Sequence, residues 1–597
     1  MARTLAKSVL VWWMVSAGAL FGQQVSPLLA PDAVYYNGKI ITVDKPFTIA
    51  EAFAVKGDRF VAVGKNAEIR ALAGPRTQPV DLRGHAVMPG IMDNHNHMIW
   101  KARVMHRGID MINVPSLAEM LNRIRQAAAK AKPGEVIVAS GGWNPRTFSE
   151  KRGPTRKELD EVAPNNPVML FQSGRNNANL NSAALKVLGI DRNTKEWGSF
   201  PVLRDDSGEP TGELSGGEQV LTADFKMAPQ PTVDQQIEWL AEAQQAQHAL
   251  GLTGIRELSI PVEHMRTYME MRRRGKLTMR VSMGLTFGVQ HVDGENPRQM
   301  DAMLAPWPMA PGFGDATLWF DGTLAEFEVD TQRVGNMMRR PFVRSGNQRY
   351  IGEEIGRWPH SADLKVLTDE QGNYYGVQRL PTDKFIEVVK KMNRYDWRPG
   401  FHISGDRGLD MNLDAYEAAD REKSIKNKRW VVEHIQYSHP EQMERLAKLG
   451  ILVSTQEQGI GGASPNFSKE LTERTQPIRE WLDHGLIVSS GSDWPAFDNN
   501  PFPYLQFYVT RITNAGTVLG AAQKISREEA LRLATINNAY MMFKEKELGS
   551  VEAGKLADFL ILSDDILTVP ERQIRSIHPL ATYVDGRKVF AKAGGGF

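Results

Sequence analysis

The chain has 597 residues, with 72 Lys and Arg against 70 Asp and Glu and a formal net charge of +2 at pH 7. That length allows a barrel with insertions or several domains, and so even a balance offers no electrostatic footprint for nucleic acid or an anionic surface. Cysteine is absent, which excludes disulfides, a thiol nucleophile and thiolate metal sites, so any metal must be held by His, Asp, Glu or a modified Lys.

The opening stretch, MARTLAKSVLVWWMVSAGALFGQQ, places Arg3 and Lys7 before an uncharged, mostly apolar run from Ser8 to Phe21, followed by Gly22-Gln23-Gln24. This order predicts a secretory signal peptide over 1–23 and an exported protein, periplasmic or extracellular. An uncleaved N-terminal anchor is the competing reading. No later run has the length of a membrane span, so no stable membrane association is expected after cleavage.

Residues 31–88 read as a small β unit. DAVYYNGKIITVD and EAFAVKGDRFVAVGK suggest two hairpins that turn at Asn37-Gly38 and Gly57-Asp58. The far end, residues 545–597, shows the same short strands, with turn residues at Gly554 and Asp585-Gly586. The two ends are therefore expected to form one composite β-sandwich.

Between them, over 89–544, short apolar runs alternate with helical stretches. Candidate strands cover 251–259, 277–285, 316–323, 398–406, 429–436, 450–458 and 486–495, and VMPGIMDNHNHMIW at 87–100 adds an eighth. Segments 234–250, 382–394 and 440–450 carry apolar residues at helical spacing. Eight strands alternating with helices predict a (β/α)8 TIM barrel of the α/β class. Residues 101 to about 230 hold strands and a helix of their own and read as an inserted α+β subdomain. Residues 324–381 read as a long loop over the barrel mouth.

Within 87–100, alternation along an extended segment puts Asp93, His95 and His97 on one face. A lone His-x-His is an ordinary polar strand end, so partners must come from elsewhere. Functional groups of such barrels converge at the C-terminal ends of the strands, and there the other runs place His402 in RPGFHISGD, His434 in RWVVEHIQ and Asp493 in SSGSDWP. Four imidazoles and a carboxylate in phase predict a metal site, neutral imidazole being the commonest metal ligand.

These residues lie in the motifs PGIMDNHNH, HISGDRGLDMNLDAYE, VEHIQ and GSDWP, followed by REEALRLATINNAYMMF and LGSVEAGKLADFLIL. In them the chain resembles the amidohydrolase superfamily, in particular its amidohydrolase family 3 branch of formamide-deformylase-like enzymes, from about residue 33 to 590. The resemblance implies a metal-dependent barrel flanked by the composite β-sandwich, and hydrolysis of carbon–nitrogen bonds in small amide-type, non-peptide substrates. It also implies His95, His97, His402, His434 and Asp493 as metal ligands, with Asp493 as proton acceptor from the hydrolytic water. His434 could instead orient the water or the oxyanion. Asp406, four residues past His402, is expected to accept an imidazole N–H or to pair with Arg407 on an exposed loop.

Two departures from the family pattern stand out. A lysine that bridges two metals as a carbamate in relatives aligns with Thr317, and a histidine found before an Asn-Ser pair aligns with Asn176. The missing lysine favours one Zn2+, with a second divalent ion left open if Glu218 or Glu257 bridges. Glu257 is read first as the partner of a nearby Arg. A deaminase or cyclic amidase on the same scaffold is an alternative, weakened because the position of a proton-shuttling Glu offers only Asp406. A non-catalytic binding protein is another, weakened by Asp493, which a closed structural shell would not need. RRRGK at 272–276 reads as a solvated face, and of Trp143, Trp319, Trp358 and Trp494 most are expected in core packing. A homo-oligomer is left open.

Overall fold

The computed structural model describes residues 30–111, 114–140, 143, 148–150, 152–171, 177–197, 200–215, 227, 230–286, 301, 304–305, 310–328, 337–342, 365–378, 380–456, 468–495 and 497–597. The expected signal peptide, Asn176, Glu218 and Trp358 lie outside them.

Eight strands pair in parallel and in chain order: β1 (Ile91–Asn96), β2 (Leu252–Ile260), β3 (Arg280–Thr286), β4 (Leu318–Glu328), β5 (Arg398–Ile403), β6 (Val431–His434), β7 (Leu452–Thr455) and β8 (Val488–Ser490). A parallel bridge between Asn96 and Trp494 closes the ring. There the Asp493 N–H donates to the His95 carbonyl at 2.7 Å and the His97 N–H to the Trp494 carbonyl at 2.8 Å. This is a TIM barrel, and where the side chains of its strands are described almost all are buried, because helices cover the outer face. The periodic segments form helices Val233–Ala249, Thr382–Arg394 and Pro440–Leu449. The first starts on a capping box from Thr232 and Gln235, and the last ends on Gly450 at φ +69°.

The seam between β1 and β8 is built by Asp93. Its Oδ1 accepts from the backbone N–H of His95 (3.0 Å) and Ser492 (2.9 Å), and its Oδ2 from Ser492 Oγ (2.5 Å) and Asn96 Nδ2 (2.8 Å). Gly491 is required for this approach, since a methyl group there would sit 2.2 Å from Asn94 Oδ1 and 2.6 Å from Asp93 Oδ1. Asp93, placed with the histidines by simple alternation, is thus committed to closing the barrel.

Two sheets flank the barrel. One has the order Arg59–Gly64, Ala52–Lys56, Ala33–Tyr36, Gln78–Asp81; the other runs Arg587–Ala591, Pro579–Val584, Phe559–Leu562, Ala86–Pro89, Lys39–Ile41, Ile49–Ala50 and so joins both ends of the chain. Aromatic side chains stack within each sheet, Tyr35 on Phe53 at 4.6 Å and Phe559 on Tyr583 at 4.3 Å, and meet edge to face between the sheets, Phe53 against Phe559 at 4.9 Å. The Gly57-Asp58 and Asp585-Gly586 turns form hairpins. Asn37-Gly38 does not: its flanking strands belong to different sheets, and Asn37 at φ +58° passes the chain from one to the other. Arg280 at the start of β3 ties barrel to sandwich, with Nε 2.9 Å and Nη2 2.7 Å from the Asp558 carboxylate.

After helix Met98–Arg107 the chain forms a five-stranded sheet, Glu213–Ser215, Asn177–Leu180, Val168–Phe171, Ile137–Ser140, Gly108–Asp110, with helices Leu117–Ala128, Arg156–Val162 and Ser182–Leu188. The segment expected as one loop over 324–381 is more structured. β4 continues to Glu328, and Lys365–Thr368 pairs with Tyr374–Gln378 as an antiparallel hairpin. Trp143 and Trp319 are buried, their indoles donating to the carbonyls of Phe171 and Met542. Arg272, Arg273 and Arg274 pair with acids on the surface.

Candidate metal centre

The C-terminal ends of β1, β5, β6 and β8 bring five sequence-predicted side chains together. Ligand atoms of His95, His402 and His434 lie within 4.8 Å of one another, as do those of His95, His97 and Asp493, so His95 belongs to both groups. His434 Nε2 is 3.1 Å from His402 Nδ1. Asp493 Oδ1 lies 3.4 Å from His97 Nε2 and 3.6 Å from His95 Nε2. His434 and Asp493 adopt φ of +73° and +57°, a left-handed backbone that costs energy in a residue with a side chain and recurs where function requires it.

Neighbouring groups hold the rings. The Nδ1 of His97 faces the Leu258 carbonyl at 3.1 Å, and the Nδ1 of His95 faces Glu433 Oε2 at 3.3 Å. In both rings this leaves Nε2 on the side of Asp493. Burial opposes the charge of Asp493, but the hydrogen bond from His97 and the nearby His95 and His434 imidazoles outweigh it and keep the acid well below the usual carboxylate range. Burial, reinforced by His402 and His95, presses His434 toward its neutral form. A divalent cation binds imidazole and carboxylate in their deprotonated forms, and the directions at His434 and Asp493 agree with that; four imidazoles and a carboxylate fit an ion such as Zn2+, which takes His and Asp ligands without cysteine.

Other expectations are revised. Asp406 is buried, and its Oδ2 meets an imidazole, but that of His439 at 2.8 Å, not one in the donor set. Its Oδ1 accepts the backbone N–H groups of Arg339 and Arg407, both at 2.8 Å, so the Arg407 contact is through the main chain. Glu257 is in neither donor group among the described residues; it accepts from the Met98 and Ile99 N–H groups at the start of their helix and from the Tyr268 hydroxyl. Thr317 immediately precedes β4, at the strand end away from the donor set, so its identity says little about how many metals bind.

Sequence reasoning missed Glu433 and Arg256. Arg256 is buried between Asp321 and Glu433, with Nε 2.6 Å from Asp321 Oδ2 and Nη1 2.6 Å from Glu433 Oε1. The available signal was a charged residue inside an otherwise apolar barrel strand, GLTGIRELS for one and RWVVEHIQ for the other.

An eight-stranded parallel barrel with a cluster of imidazoles and one carboxylate at its mouth is the architecture of a metal-dependent hydrolase. The chain belongs to the amidohydrolase family, whose profile matches residues 78–590, and is accordingly a hydrolase acting on carbon–nitrogen bonds. It is 28% identical over 575 residues to an N-substituted formamide deformylase from Arthrobacter pascens, an alignment covering 94% of this chain and 99% of that one. It is 26% identical to Protein LONG AFTER FAR-RED 3 of Arabidopsis thaliana, over 94% and 92% of the two chains. Among solved structures, an uncharacterized metal-dependent hydrolase from Pyrococcus horikoshii shares the fold with a TM-score of 0.65 at 19% identity, covering 90% of this chain and 99% of that one.

Proposed function

We propose that this protein is an exported, Zn2+-dependent hydrolase that cleaves a non-peptide amide-type bond in a small molecule, with Asp493 as the base. The observation that carries this reading is Asp493 itself, an ionised carboxylate within 3.4–3.6 Å of two imidazoles at the mouth of the barrel. When bound, Zn2+ lowers the pKa of water to about 7 and polarises a carbonyl. Asp493 accepts the proton of the attacking water and returns it to the departing nitrogen, as a positioned carboxylate can. His95, His97 and His402 hold the ion, and His434 either completes the shell or faces the developing oxyanion. The likeness to a formamide deformylase makes N-substituted formamides the first substrates to assay. The pairing of Asp406 with His439 weighs against a deaminase, because it occupies the carboxylate that would serve a ring nitrogen.

The test is elemental analysis beside an amidase assay. About one equivalent of zinc is expected to remain per chain after dialysis, because the two donor groups share His95 and so cannot each give an ion a full set of ligands; two retained equivalents would overturn the single-ion reading. Export rests on the order of charge, apolar run and small residues in the first two dozen positions. N-terminal sequencing of secreted material is expected to begin near Gln23 or Gln24, and material that starts at Ala2 would count against export by this signal. Among the described residues no helix is long and apolar enough to cross a membrane.

A further inference from the structure

We propose that Glu433 and Arg256 are positioning residues that hold the His95 ring for the metal, the guanidinium acting through the carboxylate. The inference rests on the zinc-site reading above and extends it to residues that touch neither ion nor substrate.

His95 and Glu433 side chains are both fully buried. The ring presents Nδ1 to Glu433 Oε2 at 3.3 Å and Nε2 toward Asp493 at 3.6 Å. Glu433 is in turn fixed from behind by Arg256 Nη1 at 2.6 Å on its other oxygen. The guanidinium cannot swing away, because its Nε is 2.6 Å from Asp321 Oδ2, its Nη2 2.9 Å from Thr323 Oγ1, and its Nη1 also lies 3.4 Å from the Asn94 carbonyl, one residue before His95. Arg256, Asp321 and Glu433 come from β2, β4 and β6. Alternate strands of a TIM barrel contribute to common interior layers, and this layer is charged where an apolar one would serve stability as well.

The expense in desolvation is accounted for by what the layer supports. A carboxylate on the far nitrogen of a metal-binding imidazole sets the ring's orientation and raises its basicity. The corresponding Nδ1 of His97 faces a neutral group, the carbonyl of Leu258 at 3.1 Å. The charged support is therefore directed at His95, the ring shared by both donor groups.

Zinc dissociation constants measured by chelator competition on the purified full chain test this. Glu433→Gln keeps the shape and removes the charge, and is expected to raise the Kd by about 10–100-fold, the usual effect of losing such a partner. Arg256→Lys keeps the charge but not the fork and should raise it by a smaller factor. In a His95→Ala background, Glu433→Gln should change the Kd by less than about 2-fold, since interacting residues are not additive. A carboxylate needed only for folding would shift the unfolding midpoint and leave the Kd in place, or weaken binding equally in both backgrounds; either result would overturn the proposal. Wild-type protein that takes up no zinc would overturn the metal reading along with it, whereas wild-type zinc affinity in Glu433→Gln would remove the positioning role alone.

Discussion

Replacement of Asp493 by asparagine is expected to lower the hydrolytic rate by at least about 100-fold, the scale associated with loss of a positioned general base, while zinc remains bound. The amide is close to the carboxylate in shape and keeps one oxygen toward the ion, but it cannot take up a proton at neutral pH. Folding should change far less. Asp493 holds the β1–β8 seam through its backbone N–H, 2.7 Å from the His95 carbonyl, and that contact survives the substitution. Zinc content and amidase rate measured on the same preparation separate the two effects. An Asp493→Asn protein with its metal and full turnover would remove Asp493 from the base role, and His434 would take its place as the leading candidate.

His95→Ala should fail differently and earlier. Because His95 contributes to both donor groups, its loss leaves His402 and His434 on one side and His97 and Asp493 on the other, two pairs in place of a shell. Retained zinc after dialysis is expected to fall well below that of a His402→Ala or His97→Ala protein, with activity falling as a consequence of the lost metal. Elemental analysis of the three variants under identical dialysis checks the order. A His95→Ala protein that keeps a full equivalent would show that the remaining four donors suffice and that the shared position is incidental.

The barrel and the five clustered side chains are legible in the sequence for one physical reason: strands of a parallel barrel start and stop at similar heights, so residues at strand ends converge however far apart they lie in the chain. His95, His402, His434 and Asp493 could be read from position within their runs alone. What position could not supply was the direction of side chains where the backbone departs from regular extension. Asp93 follows simple alternation on paper, yet its carboxylate is committed to Ser492 across the seam and to Asn96 of its own strand. Asn37-Gly38 has the composition of a tight hairpin, but whether two flanking strands share a sheet depends on partners distant in the chain, here Val55 for Ala33 and Val87 for Ile40. Arg256 and Glu433 escaped notice because a charge in an apolar run reads as an exposed strand position unless the opposite charge is known to face it from another strand.

The six-stranded sheet sets a timetable for assembly. Ala86–Pro89 pairs with Phe559–Leu562 and leads through Gly90 directly into β1, the strand that carries His95 and His97. About 470 residues separate those two pairing segments, so at roughly 5–20 residues per second of synthesis the strand feeding β1 waits about half a minute to a minute and a half for its neighbour to emerge. During that interval one edge of Ala86–Pro89 lacks its native partner and is open to pairing with another chain. The imidazole pair encoded near the front of the gene is therefore among the last features to be locked in place, and a nascent chain that stalls before residue 559 would carry all five donor side chains without the sheet that anchors the first two.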